Sequence, residues 1–81
     1  MEAFAVRLRA LREGAGLTQQ ALAVAAELSV SYVAKLERGV ADPSWSTVVR
    51  LARALGVSVA AFDEVGMSTA PKLNRSNRKK T

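Results

Sequence analysis

Glycine interrupts the apolar pattern of this sequence at short intervals, and this spacing constrains the fold more than any other feature. Between the glycines, apolar residues recur every three or four positions, as they do along one face of a helix. Glycine often follows the last residue of a helix because it adopts a left-handed backbone without strain. Such glycines end four predicted helices, at Gly14 and Gly16, Gly39, Gly56 and Gly66. The pattern predicts an all-α domain of five short helices.

Side-chain hydroxyl groups stand where the later helices should begin. Serine and threonine are favoured at the first position of a helix because their oxygen accepts a hydrogen bond from the backbone. The first helix is predicted to end near residue 13, and the third to run over about residues 29–38. The predicted starts of helices two to five are marked by Thr18, Ser29, Ser44 and Ser58.

The junction between the second and third predicted helices has no glycine and carries Glu27 instead. A helix of about eight residues, a sharp turn and a helix of about nine residues is typical of a helix-turn-helix unit. Val33 and Leu36 are three positions apart, so both should face the core. The outer face of the third helix then carries Val30, Ser31 and Lys35.

The composition argues against catalytic and metal-binding chemistry. The 81 residues include no cysteine and no histidine, which removes thiol nucleophiles, imidazole bases and the usual zinc ligands. No nucleophile–base pair, carboxylate dyad or phosphate-cradling glycine loop is present, so we do not expect an enzyme. The longest apolar run, residues 21–26, is far shorter than the roughly 18 residues of a membrane span. We expect one cytoplasmic domain without a metal, cofactor, small-molecule ligand or membrane partner.

The net charge of +5 is concentrated at one end of the chain. Residues 1–71 contain seven basic and seven acidic side chains, so this part is neutral. We therefore predict a folded domain over residues 1–66 and a disordered basic tail over residues 67–81, which would contact DNA phosphates. The five surplus charges are Lys72, Arg75, Arg78, Lys79 and Lys80.

Two segments, LTQQALAVAAELSVSYVAKLERG and DPSWSTVVRLARALGVS, resemble the Cro/phage-repressor-type helix-turn-helix family, also called the XRE family. The resemblance covers about residues 8–62. It implies a five-helix, lambda-repressor-like domain of prokaryotic or phage origin, whose second and third helices form the DNA-binding unit. It further implies a homodimer that binds double-stranded DNA at a two-fold operator and regulates transcription. The family includes phage repressors, restriction–modification controllers and antitoxins, and the sequence does not choose among them.

The same resemblance implies roles for individual residues. Base-edge contacts are expected from Val30, Ser31 and Lys35. Phosphate contacts are expected from Gln19, Ser29 and Tyr32. For Ser29 a purely capping role is the alternative, and Tyr32 should lie partly in the core. Arg12 and Glu37 occupy positions that form a structural ion pair between the first and third helices.

The sequence departs from the family pattern in the turn and in the loop after the third helix. Glu27 replaces the usual glycine, which implies a strained left-handed residue. The loop, where basic residues often bind phosphate, reads Val40, Ala41 and Asp42, and residues 17–43 carry a net charge of −1. An alternative function is therefore a protein-interaction adapter, for example antitoxin-like, with an unseen protein partner. Trp45 is expected to pack in the core or over the end of the third helix, and a contact with a partner is the alternative.

The C-terminal end of the domain is predicted to form the dimer interface. It holds more apolar side chains than one short terminal helix can bury against a small body, and exposed apolar patches mark interfaces. The residues concerned are Val57, Val59, Phe62 and Val65, with Met67 beyond them.

Overall fold

The computed structural model describes residues 2–65, with side chains for residues 2–62. Four α-helices follow one another along the chain: α1 (Glu2–Gly14), α2 (Gln19–Ala26), α3 (Val30–Glu37) and α4 (Trp45–Leu55). A 3-10 helix, Val59–Val65, follows α4. The all-α prediction is confirmed, although the fifth predicted helix is of the 3-10 type. The predicted tail, residues 67–81, with its five basic side chains, lies outside the described residues.

Hydroxyl caps begin α2, α3 and α4 at the predicted positions. Thr18, Ser29 and Ser44 each have an extended backbone, and each side chain accepts a hydrogen bond from a backbone N–H three residues later. The donor–acceptor distances are 3.0, 3.0 and 3.1 Å. Each cap stabilises its helix by about 1 kcal/mol. The Ser29 cap fixes where α3, the predicted recognition helix, begins.

The core is mostly aliphatic and is shared by all the helices. Helix α3 packs on α1 and α2, α4 packs on α2, and the 3-10 helix packs on α1 and α4. The largest side chains with no exposed surface are Leu8, Leu22, Leu36, Leu51 and Val33. Burying each of these side chains stabilises the fold by about 1.5–3 kcal/mol.

The 3-10 helix helps to close the core. In a 3-10 helix, residues three apart lie on the same face, which turns both Val59 and Phe62 toward the core. Phe62 is only 5% exposed, and its ring stacks on Phe4 with 5.1 Å between centroids. Val57 also packs against the core. The prediction of a dimer patch is wrong for Phe62, while Val57 and Val59 keep part of their surface exposed.

The other two residues of the predicted dimer patch are Val65 and Met67. The side chain of Val65 lies outside the described residues, and so does the whole of Met67.

Candidate nucleic-acid interface

Helix α3 has one buried face and one exposed face. Val33 and Leu36 have no exposed surface, because both lie where α3 packs on α1 and α2. On the opposite side Val30 is 46% exposed, and Ser31 and Lys35 are also exposed. The three residues predicted to contact base edges therefore share the outward face of α3.

The turn before α3 holds the two helices of the motif at a fixed angle. Glu27 has φ 61° and ψ 43°, so the predicted left-handed conformation is confirmed. Its neighbour Leu28 donates a backbone hydrogen bond to the carbonyl oxygen of Ala23 at 2.9 Å, which closes the end of α2. Ala23 is 2% exposed, which agrees with a small residue where α2 and α3 meet. Arg50 Nη1 lies 3.3 Å from the Glu27 carbonyl oxygen, so α4 also supports the turn.

An ion pair ties the end of α3 to α1. Arg12 Nε donates to Glu37 Oε2 at 2.6 Å, and Arg12 Nη2 donates to Glu37 Oε1 at 3.1 Å. The side chains are 12% and 4% exposed. The hydrogen bond to Glu37 raises the pKa of Arg12 above its usual value. Arg12 Nη1 also donates to the carbonyl oxygen of Leu17 at 2.8 Å. The expected ion pair is present, and Arg12 thereby joins α1 to the end of α3 and to the loop before α2.

Gln19 belongs to the same network, which the sequence did not indicate. Its Nε2 donates to Glu37 Oε1 at 3.1 Å, although the two residues are 18 positions apart. The family resemblance predicts that Gln19, at the start of α2, contacts a DNA phosphate. In the structure its amide nitrogen is directed at the buried carboxylate of Glu37. The Gln19 phosphate contact stays a prediction, and the Gln19–Glu37 bond orients the side chain that would make it.

Ser29 and Tyr32, the other predicted phosphate-contacting residues, have partners within the domain. The Ser29 hydroxyl oxygen caps α3 by accepting from the Tyr32 N–H. The Tyr32 hydroxyl lies 3.5 Å from both the Asp42 carbonyl oxygen and Thr47 Oγ1. Tyr32 is half-buried, as expected. Its side chain connects α3 to the start of α4, and its phosphate contact also stays a prediction.

The prediction that Trp45 packs in the core is wrong, because its side chain is 69% exposed. The reason for this exposure is its position at the first residue of α4, because the buried face of that helix starts two residues later with Thr47 and continues through Leu51 and Ala52. The alternative, a contact with a partner, stays a prediction. Val40, in the preceding loop, is 65% exposed.

Among residues 2–65, no three histidine, cysteine, aspartate or glutamate side chains are grouped so as to hold a metal ion. No helix over these residues is long and apolar enough to cross a membrane.

Comparisons with known proteins agree with this geometry. A family model described as a helix-turn-helix domain matches residues 3–65. The immunity repressor protein of Bacillus phage phi105 is 46% identical over 66 residues, which make up 82% of this chain and 44% of that protein. The chain thus spans less than half the length of this relative. An uncharacterized HTH-type transcriptional regulator, y4dJ, from Sinorhizobium fredii is 44% identical over 63 residues, or 73% of this chain and 82% of that protein.

A solved structure shares the fold. The restriction-modification controller protein C.AhdI from Aeromonas hydrophila superposes with a TM-score of 0.74 at 38% identity, over 75% of this chain and 92% of that one. The matched family, the named relatives and the fold are those of helix-turn-helix regulators and not of enzymes. The chain belongs to the helix-turn-helix domain family and is of the Cro/phage-repressor type.

Proposed function

We propose that this chain regulates transcription in the cytoplasm by binding double-stranded DNA at specific sequences, with α3 in the major groove. The observation that carries the proposal is the division of α3 into a fully buried face and an exposed one. Val33 and Leu36 hold the helix on the domain, which leaves Val30, Ser31 and Lys35 free to approach DNA. Valine suits the methyl group of thymine, and serine and lysine can hydrogen-bond to base edges.

The proposed DNA-bound form is a homodimer on a two-fold operator. One copy presents three readout side chains, and each good base contact contributes only about 1–3 kcal/mol of discrimination. Two copies related by a two-fold axis double the number of contacts and place two recognition helices about 34 Å apart, one turn of DNA. The proposed contact region is formed by two partly exposed residues, Val57 in the loop after α4 and Val59 at the start of the 3-10 helix.

Phosphate contacts are proposed to come from two parts of the chain. Gln19, Ser29 and Tyr32 lie around the start of α2 and of α3, where backbone contacts would set the register of α3 in the groove. These three side chains are uncharged, and residues 17–43 as a whole carry a net charge of −1. This part of the chain therefore does not neutralise phosphate charge, on which DNA affinity depends. The five basic side chains of residues 72–81 are proposed to provide this neutralisation.

A gel-shift titration with random and genomic duplex fragments tests the proposal. We expect a small set of genomic fragments to be retained at protein concentrations that leave random duplexes free. Capture of genomic DNA fragments by the full chain, followed by sequencing, should then recover a shared two-fold motif. Binding of every fragment with equal affinity, or of none at low salt, would contradict sequence-specific regulation.

A protein-interaction adapter is the second candidate. It is favoured by the loop between α3 and α4, where Asp42 stands in place of a basic residue and Val40 is 65% exposed. Trp45, the first residue of α4, is also exposed, at 69%. The adapter hypothesis predicts no retained genomic fragment in the gel-shift experiment. It also predicts that a partner protein protects the loop from solvent.

A further inference from the structure

A shallow cleft lies where the end of α2 meets α4. It is lined by Ala25, Ala26 and Glu27 on the side of α2 and by Arg50 and Arg53 on α4. The cleft has a volume of about 190 Å³, which is smaller than the roughly 300–1,000 Å³ of sites for drug-sized ligands. It can therefore hold a group of a few atoms, such as a small anion or the end of one side chain.

The cleft carries an excess of positive charge. Arg50 and Arg53 are three residues apart on α4, so both lie on the same face of the helix. Both are exposed, as is Glu27. Within residues 2–62 no ion pair joins Glu27 to either arginine, although all three line the cleft. Two neighbouring like charges cost free energy, and a negatively charged group between them would remove that cost.

The two arginines differ in how they are held. Arg50 Nη1 lies 3.3 Å from the carbonyl oxygen of Glu27, at the negative end of the α2 helix dipole. The side chain of Arg53 makes no hydrogen bond or ion pair within residues 2–62. A guanidinium group has five N–H donors in a planar fork that matches the oxygens of a carboxylate or a phosphate. Arg50 is thus fixed at the cleft with donors to spare, and Arg53 keeps all of its donors.

We propose that this cleft binds a small oxyanion, a carboxylate or a phosphate group, between Arg50 and Arg53. The site goes beyond the proposed DNA binding and does not depend on it. Because Arg50 also contacts the Glu27 carbonyl oxygen, the bound group joins α4 to the turn that precedes α3. The anion is supplied either by a small molecule in solution or by an acidic side chain of a partner protein, and in both cases its occupancy stabilises the turn that positions the recognition helix.

Glu27 limits the affinity of the cleft for an anion. Its carboxylate lines the same space and has the same sign of charge as the ligand. Each exposed charge pair also contributes little in water, so we expect dissociation constants in the millimolar range. Glu27→Gln removes the charge and keeps the size of the side chain. It should therefore strengthen binding about two- to fivefold, and weaker binding by this variant would contradict an anion in the cleft.

A titration followed by proton–nitrogen NMR tests the site. The isotope-labelled full chain is titrated with sodium phosphate at constant pH and ionic strength, with chloride as the balancing anion. We expect saturable shifts in the side-chain Nε–H signals of Arg50 and Arg53 and in the backbone signals of Ala26 and Glu27. Shifts of equal size at every arginine of the chain, or shifts that do not saturate, would overturn the inference.

A matched pair of variants separates the cleft from general charge effects. Arg53→Gln should weaken phosphate binding about two- to fivefold, as expected for the loss of one exposed charge. Arg38→Gln is the control, because Arg38 is also exposed, has no ion pair within residues 2–62 and lies outside the cleft. It should bind phosphate as the parent does, and thermal unfolding checks the fold of both variants. Equal weakening in the two variants would show that phosphate responds to net charge alone.

Two further probes distinguish the sources of the anion. Acetate offers a free carboxylate, and an aspartate blocked at both ends offers the same group on a peptide backbone. Tightest binding of the blocked aspartate would assign the cleft to an acidic side chain of a partner protein, and tightest binding of phosphate or acetate would assign it to a free anion. Displacement of bound phosphate by a DNA duplex, together with weaker DNA binding by Arg53→Gln, would make the cleft part of the DNA interface and overturn the inference.

Discussion

Arg12 on α1 and Glu37 at the end of α3 form a nearly buried ion pair, with Arg12 Nε 2.6 Å from Glu37 Oε2. Gln19, the first residue of α2, donates to the second oxygen of the same carboxylate at 3.1 Å. One carboxylate thus joins three helices. The orientation of the recognition helix relative to the start of α2, where a phosphate contact is proposed, depends on this group.

Replacing Arg12 by alanine should destabilise the domain by about 3 kcal/mol, because Glu37, 4% exposed, would lose its charged partner. Urea unfolding followed by circular dichroism measures the loss. Arg9→Ala is the matched control, since Arg9 pairs with Glu13 at 3.1 Å on the exposed surface of the same helix. That variant should lose less than about 0.5 kcal/mol. Equal losses would mean that the Arg12–Glu37 pair does not hold α3 in place.

Replacing Glu27 by glycine should stabilise the domain by roughly 0.5–1 kcal/mol. Relief of left-handed strain contributes about 1–2 kcal/mol, and the larger freedom of glycine in the unfolded chain returns part of it. Glu27 is the only non-glycine residue with positive φ between residues 2 and 65, which makes the site a clean test. Glu27→Ala keeps the strain and serves as the control. A lower melting temperature for Glu27→Gly than for the parent chain would refute the strain argument.

The features that the sequence predicted correctly depend on neighbouring residues. Caps, helix lengths and the inward face of α3 follow from spacings of three and four residues, as shown by Ser29, Val33 and Leu36. The left-handed turn at Glu27 and the Arg12–Glu37 pair were reached through the family resemblance. Both features help to hold α3, which carries the candidate site, in position on the domain.

The features that were missed depend on contacts between distant parts of the chain. Phe62 and Phe4 lie far apart in the sequence, and their rings stack in the folded domain. No local sequence pattern shows whether Phe62 packs on Phe4 or on a second copy of the chain. Gln19 bonds Glu37 across two helices. Tertiary packing decides both of these positions. The core packing predicted for Trp45 fails for a local reason, because its place as the first residue of α4 turns it to solvent.

Association of two copies should be visible in sedimentation and in the spacing of the operator. We expect a dimer at high micromolar concentration and tightest binding when half-sites lie one turn of DNA apart, about 34 Å. Adding about half a turn between the half-sites should lower affinity strongly, because the two recognition helices would then face different sides of the duplex. A monomer at high micromolar concentration, with half-site binding unaffected by spacing, would rule out the dimer.

Removal of the basic tail should change the salt dependence of binding. If two to four of the charges within residues 72–81 of each copy engage phosphates, a dimer of chains ending at Pro71 should lose roughly 4–7 units from the slope of log affinity against log salt. The loss should be similar on specific and random DNA. Titrations of both chains at several salt concentrations measure it. Parallel lines would show that the tail does not contact the duplex.

The most direct test of the account compares two kinds of DNA for variants of the outward face of α3. Duplexes are selected from a random pool with the full chain, and affinities for selected and random duplexes are then measured for Val30→Ala, Ser31→Ala and the parent. The account predicts that either substitution weakens binding to the selected site by up to about 1–3 kcal/mol and hardly changes binding to random DNA. Equal weakening on both kinds of DNA, or no selected motif at all, would contradict sequence reading by α3.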